Sequence, residues 1–225
     1  MGMFLGTPQP IIMDGLRCFL DAGNPASAPG NNTWLDLSGN GFNGSVTGTP
    51  TLNTTDGGTF DCTNSSHTFD VHDASSVLLP SGQSFTINLW FKPSTSNGFV
   101  FEGGNSDNYL SSVAIESSIF YIGGSGRGTS GDLRGTTNQW NFISYVADQG
   151  STAKAFKNGS AISMSSNSGT VNHNRDQNKL FMFKRLNGTG FGGGTLSMIQ
   201  IYTNKAFTLA EHTQNYNAHK HRFGL

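Results

Sequence analysis

Short apolar segments alternate along this chain with turn-forming stretches rich in Gly, Asn, Ser and Thr. The segments, about eleven in number, have the length and spacing of β-strands separated by turns. They read IIMDGLRCFLDA, GTFDC, HTFDVH, QSFTINLWFKP, NGFVFEGG, NYLSSVAIES, SIFYIGG, QWNFISYVAD, TAKAFKNG, NKLFMFKRL and GTLSMIQIYTN. Many short strands with little helical periodicity predict an all-β sandwich or barrel.

The strand segments are apolar on both faces. In SFTINLWF, one face of the extended chain carries four apolar residues, namely Phe85, Ile87, Leu89 and Phe91. The opposite face carries Trp90. Strands of this kind are covered on both sides, at least in part. Two packed sheets therefore fit the sequence better than one exposed sheet.

Charge and hydropathy exclude several classes of function. Only 12% of the residues are charged and the formal net charge is −1, so the chain lacks the basic surface that binds nucleic acids or anionic membranes. No stretch approaches the roughly 18 apolar residues of a membrane-spanning helix. The N-terminal sequence MGMFLGTPQP lacks the charge and apolar core of a signal peptide, so we expect no export by the general secretory route.

Two segments match the G-x-G-x-x-G pattern of dinucleotide-binding folds. The first match consists of Gly39, Gly41 and Gly44, and the second of Gly126, Gly128 and Gly131. The pattern binds a pyrophosphate only where it joins a strand to the N-terminus of a helix. Polar sequence surrounds both matches. We therefore interpret the first as a structural turn and the second as part of a long polar loop.

One helix is predicted near the C-terminus. Thr208 is placed as its N-cap, and Glu211 completes a capping box. The residues that would line its apolar stripe are Leu209, Thr213 and Tyr216. The helix is predicted to end near Asn217, ahead of a basic tail.

The cysteines and histidines give weak signals for a metal site. Cys18 and Cys62 lie in apolar segments without a C-x-x-C partner. Buried free thiols are the favoured interpretation, and a single disulfide between neighbouring strands is the alternative. His67 and His72 point to opposite faces of one predicted strand, so they cannot chelate an ion together.

Six sequence blocks occur in a characteristic order: FLDAGNPAS, TWLDLSGNGFNG, FTINLWFKP, QWNFISYV, AFKNG and GTLSMIQIYTNKAFTLAEHTQNYNAHKHRFGL. Together they resemble a LamG-like jelly-roll domain of the concanavalin A-like superfamily, of the kind found in virion proteins of tailed bacteriophages, marine phages especially. The last block is the most specific. The resemblance implies an all-β, two-sheet antiparallel jelly-roll sandwich with one short C-terminal helix.

The resemblance covers residues 15–225 and implies a single domain over that range. Residues 1–14 would form an N-terminal extension, a candidate docking arm. The candidate assembly contacts are Met3, Phe4 and Leu5 in this arm and His219, Lys220, His221 and Arg222 in the basic tail.

The resemblance also implies a candidate calcium site, because LamG-like domains often hold one Ca²⁺ near the rim of a sheet. By motif position the ligands are Asp36, Asn40 and Asn43, with Asp21 as a further candidate. Their side-chain oxygens are the ligands that this ion prefers. Against this, many relatives have an acidic residue in the last strand where this chain has Ser197. The alternative is that Asp36 forms only an Asx turn and no cofactor is required.

Glycan recognition usually needs exposed aromatic rings beside polar groups. The candidates near predicted loops are Trp34, Tyr109, Tyr121 and Phe191. The alternative is that the three tryptophans, Trp34, Trp90 and Trp140, fill the core between the sheets.

A glycosidase of this superfamily would need two carboxylates across a groove. The chain contains three glutamates, and the capping box uses Glu211. Glu102 and Glu116 lie in neighbouring strand candidates, but the E-x-D-x-x-E spacing of the family's glucanases is absent. We therefore assign no catalytic residue and expect no enzymatic activity.

The leading hypothesis is a non-enzymatic structural component of a tailed-phage virion, on the head, a fibre or the tail. Its expected partners are other virion proteins, arranged symmetrically or as a homo-oligomer, and host surface glycans. We expect neither nucleic-acid binding nor membrane insertion, and we expect the protein in phage particles assembled in the host cytoplasm. The alternative is a stand-alone carbohydrate-binding lectin.

Overall fold

The structure, a computed structural model, describes residues 10–30, 33–48, 50–54, 57–72, 76–104, 113–123, 125–165, 169–185 and 192–225. Within these ranges sixteen strands form two antiparallel sheets of eight. The helix-side sheet contains β1 (Leu16–Asp21), β4 (Leu52–Asn53), β5 (Thr59–Asp61), β7 (Phe85–Pro93), β12 (Asn141–Ala147), β13 (Ala153–Lys157), β14 (Ser160–Ala161) and β16 (Gly194–Thr203). The far sheet contains β2 (Thr33–Trp34), β3 (Gly44–Thr47), β6 (Thr68–His72), β8 (Phe99–Gly104), β9 (Val113–Glu116), β10 (Ile119–Ile122), β11 (Ser125–Thr129) and β15 (Lys179–Met182).

The helix-side sheet has the order β14-β13-β12-β7-β16-β5-β4, and β1 also pairs with β16. The far sheet has the order β11-β10-β9-β8-β15-β6-β3-β2. One α-helix, α1 (Leu209–His219), follows the last strand. The predicted all-β fold, with two antiparallel sheets in a sandwich and a short C-terminal helix, is confirmed.

The core between the sheets includes the apolar face of β7 that the alternation predicts. Trp34 is fully buried there and contacts Phe60 and Phe69 at ring-centroid distances of 5.2 and 5.6 Å.

Cys18 and Cys62 are buried free thiols, as the favoured interpretation predicts. Burial raises the pKa of both thiols well above the usual value, so both are chemically inert.

The other two tryptophans lie outside this core, contrary to the interpretation that all three fill it. Trp90 is on the outer face of β7, where its ring stacks on Phe223 at 4.3 Å and on Tyr216 at 5.7 Å. Trp140 is partly exposed and packs against Phe223 at 4.6 Å. Strand alternation places both rings on the outer face of the sheet. The C-terminal segment covers Trp90 completely and Trp140 only in part.

Helix α1 begins with the predicted capping box. Thr208 Oγ1 accepts a hydrogen bond from the Glu211 backbone N–H, and the Glu211 carboxylate accepts one from the Thr208 backbone N–H at 2.8 Å. The helix continues past the predicted end at Asn217 and leads into a 3-10 helix, Lys220–Phe223. The basic tail is therefore a continuation of the helix.

The face that α1 buries is largely polar, so the predicted apolar stripe is only partly correct: Tyr216 packs on Trp90, but the most buried positions of the helix lie elsewhere. Its buried residues are His212, Asn215 and Ala218. Leu209, from the predicted stripe, is 42% exposed. Asn215 Nδ2 donates to Gln200 Oε1 at 3.0 Å and to the Tyr202 hydroxyl at 2.9 Å. These bonds to β16 attach the helix through polar contacts that hydrophobic periodicity does not detect.

The GNGFNG segment is a turn, as predicted. Gly39 and Gly41 have φ angles of 84° and 81°, which favour glycine. The second match differs from expectation because Gly126 and Gly128 lie in β11 and not in a polar loop. In the described chain, neither match leads into the α-helix that a pyrophosphate requires.

Residues 10–14 are attached to the domain. Gln214 Nε2 donates to the Pro10 carbonyl at 2.8 Å, and Asn215 Oδ1 accepts from the Ile12 N–H at 2.8 Å. The rest of the predicted docking arm, with Met3, Phe4 and Leu5, lies outside the described residues.

Among the helices that the structure describes, none has the length and apolar character needed to span a membrane.

Candidate functional site

The carboxylate of Asp36, the first predicted calcium ligand, organises the turn that follows β2. It accepts hydrogen bonds from the backbone N–H groups of Phe19 at 2.8 Å, Ser38 at 2.9 Å and Phe42 at 3.1 Å. It also accepts one from the Ser38 hydroxyl at 2.7 Å. The side chain therefore ties this turn to β1.

The other three calcium candidates are also engaged. Asn43 Oδ1 accepts from the Asp36 backbone N–H at 2.9 Å, and the Asn40 amide donates to two carbonyls at the start of β1. Asp21 is 6% exposed and forms a bidentate ion pair with Arg222 at 2.7 and 2.9 Å. These contacts occupy the carboxylates of Asp36 and Asp21 and the Oδ1 of Asn43, whereas Asn40 is engaged through its amide N–H₂. The arrangement fits the Asx-turn alternative, and the calcium site stays a prediction.

We expect Asp36→Ala to lower the free energy of unfolding by about 2 kcal/mol, because three backbone N–H groups lose a charged acceptor. Urea unfolding measures this, with Asp132→Ala as the control at an exposed carboxylate. Neither calcium nor EDTA should change the Tm of the wild type. A rise in Tm with calcium that Asp36→Ala abolishes would establish the calcium site instead.

The predicted glycan-binding aromatics do not form one site. Trp34 is fully buried in the core, so its assignment to glycan binding is wrong. Tyr121 is partly exposed on β10 of the far sheet. Tyr109 and Phe191 lie outside the described residues.

The two candidate glutamates are not directly opposed. In the pairing of β8 with β9, Glu102 lies opposite Ala114 and Glu116 lies opposite Phe99. Glu102 is fully buried, with Arg185 Nε at 3.8 Å from its carboxylate. A general acid must reach the glycosidic oxygen, and the burial of Glu102 does not favour that role.

A serine and a histidine under α1 also approach each other. Ser144 Oγ lies 2.7 Å from His212 Nδ1, and His212 Nε2 accepts from the Gly159 backbone N–H at 3.0 Å. Because Nε2 accepts, the proton of the neutral ring is on Nδ1 and is donated to Ser144. Both residues are fully buried, and burial lowers the pKa of His212 to about 3. This pair holds α1 on the sheet and is not arranged as a nucleophile and base.

A groove of about 460 Å³ crosses the outer face of the helix-side sheet. The strand register builds it, because Thr195 of β16 lies opposite both Lys92 of β7 and Asp61 of β5. Trp140 directly precedes β12, which is the other neighbour of β7. These four side chains form a row across four strands, which we call the Trp140 groove. Its wall is completed by Thr51, Leu52, Asn53, Thr54 and Thr59.

The Trp140 groove combines an aromatic ring with groups of both charges. Lys92 Nζ lies 5.3 Å from the centre of the Trp140 ring. Within the described part of the chain, no carboxylate lies within 4 Å of Lys92. Asp61 is exposed, and one of its oxygens accepts from the Thr63 N–H at 2.8 Å. A ring beside a cation, a carboxylate and hydroxyls suits a ligand with many hydroxyl groups and an apolar ring face.

The predicted assembly contacts of the tail are largely part of the fold. Arg222 pairs with buried Asp21 and donates to the Gly57 carbonyl. Lys220 Nζ lies 5.3 Å from the Tyr216 ring. Of the four basic residues, His221 is the exposed one. The guanidinium of Arg222 thus neutralises Asp21 within the fold, and the assignment of these residues as assembly contacts stays a prediction.

Sequence reasoning missed the Trp140 groove, although one signal was available. Trp140 precedes the segment NFISYVA, and alternation gives it the same face as Phe142, which lies away from the inter-sheet core. The alignment with Lys92, Thr195 and Asp61 depends on strand pairing, which no local pattern in the sequence specifies.

The comparisons with known proteins identify a family and a fold. Residues 63–211, about two thirds of the chain, match the model of the concanavalin A-like lectin/glucanases superfamily. The receptor binding domain of botulinum neurotoxin C/D mosaic serotype has 14% identity and a TM-score of 0.64, and the alignment covers 91% of this chain and 51% of that one. The botulinum neurotoxin serotype G binding domain has 17% identity and a TM-score of 0.64, with 89% and 50% covered.

At these identities the likeness to solved structures concerns the fold alone. This chain spans about half the length of the structures that it matches. A search of curated proteins finds no match.

Proposed function

Because this chain belongs to the concanavalin A-like lectin/glucanases superfamily, we propose that it is a non-enzymatic binding module of a tailed-phage particle and binds a host surface glycan. The proposed site is the Trp140 groove. The observation that carries the proposal is the row that begins at Trp140, where an accessible ring lies beside a cation, a hydroxyl and a carboxylate.

Two further observations support a binding role. The superfamily model describes lectins as well as glucanases. Solved proteins with this fold include domains described as receptor-binding. The phage context rests on the sequence resemblance, above all on the C-terminal block that ends in RFGL.

The distribution of carboxylates favours binding over hydrolysis. A retaining glycosidase needs two carboxylates about 5.5 Å apart, and an inverting one needs them roughly 6.5–9.5 Å apart. Of the described residues that line the Trp140 groove, Asp61 is the only acidic one. A single carboxylate can orient a sugar hydroxyl but does not provide the acid and base pair.

We expect Trp140→Ala to weaken glycan binding about tenfold or more, because a sugar ring loses its aromatic contact. The measurement is binding of the purified protein to an array of bacterial surface polysaccharides, followed by calorimetry on the best ligand. Trp140→Phe should retain part of the affinity. Tyr121→Ala, at the partly exposed aromatic residue of the far sheet, is the matched control and should bind normally.

The opposite pattern, with binding lost in Tyr121→Ala and kept in Trp140→Ala, would move the site to the far sheet. Because Trp140 packs against Phe223, thermal unfolding of each variant must accompany the binding data.

The stand-alone lectin remains the alternative, and the same groove would serve it. Electron microscopy of intact particles labelled with an antibody to this chain separates the two contexts. Regular labelling on the head, a fibre or the tail supports the virion component. Unlabelled particles, with the protein free in the lysate, favour the lectin.

A further inference from the structure

A buried arginine lies at the end of the sandwich, away from the row of the Trp140 groove. Arg134 belongs to the 3-10 helix Gly131–Arg134, which precedes β12, and is 6% exposed. Its Nη2 donates to the carbonyls of Asn97 at 2.7 Å and Thr95 at 3.3 Å, and its Nη1 donates to the Gly98 carbonyl. The guanidinium is thereby held rigidly by the loop between β7 and β8.

All of these partners are neutral carbonyl groups. Within the described residues, no carboxylate lies within 4 Å of Arg134, and its buried Nε has no hydrogen-bond partner. Burial lowers the pKa of Arg134, as expected for a cation without a counter-charge. A buried, uncompensated charge is costly, so the position favours an anion from outside the chain.

The arginine lines a pocket of about 310 Å³. The walls contribute the hydroxyl-bearing residues Ser96, Ser117, Ser118 and Thr137. Within the described part of the chain, none of these four hydroxyls is engaged in a hydrogen bond. The pocket thus offers one fixed cation with several hydroxyl groups that can donate to, or accept from, a bound ligand.

The pocket and the Trp140 groove share one connecting loop. Gly135 and Thr137 line the pocket, and Trp140 lines the groove only a few residues later. The two sites are therefore neighbours along the chain, separated only by Asn138 and Gln139.

From this arrangement we propose that the Arg134 pocket is a subsite for the carboxylate of an acidic sugar. That the ligand is a sugar rests on the proposed function. That the ligand is negatively charged rests on the Arg134 pocket itself. The negative charge of a carboxylate would compensate the buried guanidinium of Arg134, and the hydroxyl-bearing wall matches the sugar's own hydroxyls.

The test is a nuclear magnetic resonance titration of the full chain with sodium glucuronate, glucose and inorganic phosphate in turn. Glucuronate should shift the Arg134 Nε–H signal and the amide signals of Ser118 and Thr137, and glucose should not. Substitution of Arg134 would release the loop that it holds, so the variant is Thr137→Glu at an exposed wall position. It should weaken glucuronate binding about tenfold by charge repulsion, whereas Thr137→Gln should bind like the wild type.

Equal shifts with glucose, or the absence of shifts with glucuronate, would overturn the proposal. Phosphate binding as tightly as glucuronate would replace it with a simple anion site. The titration reports on the Arg134 pocket alone, and Trp140→Ala tests the groove alone. Failure of one experiment is therefore distinguishable from failure of the other.

Discussion

Replacement of Phe223 by alanine is expected to lower the free energy of unfolding by about 3–4 kcal/mol. The Phe223 ring is 9% exposed and stacks on Trp90 at a centroid distance of 4.3 Å. It also packs against Trp140 at 4.6 Å. Its removal leaves a cavity over Trp90, and the 3-10 helix of the tail loses the aromatic anchor that accompanies the Arg222 ion pair.

Urea unfolding followed by tryptophan fluorescence measures this effect, because the emission of Trp90 reports its exposure to water. The matched control is Leu225→Ala, two positions later in the same tail, where the side chain is 48% exposed. That variant should change stability by less than about 0.5 kcal/mol. Equal, small effects of both substitutions would mean that the tail contributes little to folding.

Acidification is expected to destabilise the protein through His212, by about 2 kcal/mol at pH 5 and about 4 kcal/mol at pH 3.5. Burial lowers the pKa of His212 from 6.5 to about 3 in the folded state. The unfolded chain takes up the proton at the ordinary pKa, so unfolding becomes more favourable as the pH falls from about 6.5 towards 3. His219 acts in the same direction, because burial, with a contribution from Arg222, lowers its pKa to about 4.

The measurement compares the free energy of unfolding at pH 7.5 and pH 5.0 for the wild type and for His212→Gln. The variant is less stable at pH 7.5, since Ser144 and the Gly159 N–H lose their partner. Its further loss at pH 5.0 should nevertheless be smaller than that of the wild type by about 2 kcal/mol. His221→Gln, at an exposed histidine, should behave like the wild type. The same loss in His212→Gln as in the wild type would assign the acid sensitivity to other groups.

These two predictions concern the C-terminal segment, where sequence and structure differ most. The capping box at Thr208 was predictable because it depends on residues three positions apart. The buried face of α1 was not predictable, because His212 and Asn215 are polar. Their hydrogen-bond partners, Ser144 and Gln200, lie on the sheet beneath the helix. Hydrophobic periodicity detects apolar contacts and is insensitive to an interface of this kind.

The candidate sites show the same division. Asp36 was identified as a candidate through the family resemblance, with an Asx turn as the alternative, and its bonds to nearby N–H groups give the side chain a structural role in this turn. The Trp140 groove and the Arg134 pocket were not found, since each joins residues from strands and loops that are distant along the chain.

The sequence by itself determined the fold class, the β7 alternation, the turns at glycine and the start of the helix, because all of these depend on residues within a few positions of one another. Only the tertiary structure decided which tryptophan lies between the sheets, which residues form the groove, and that the tail is packed on the sheet. Those outcomes depend on strand register and on the contact between the last segment and β7, where pairing and packing join residues far apart in the chain.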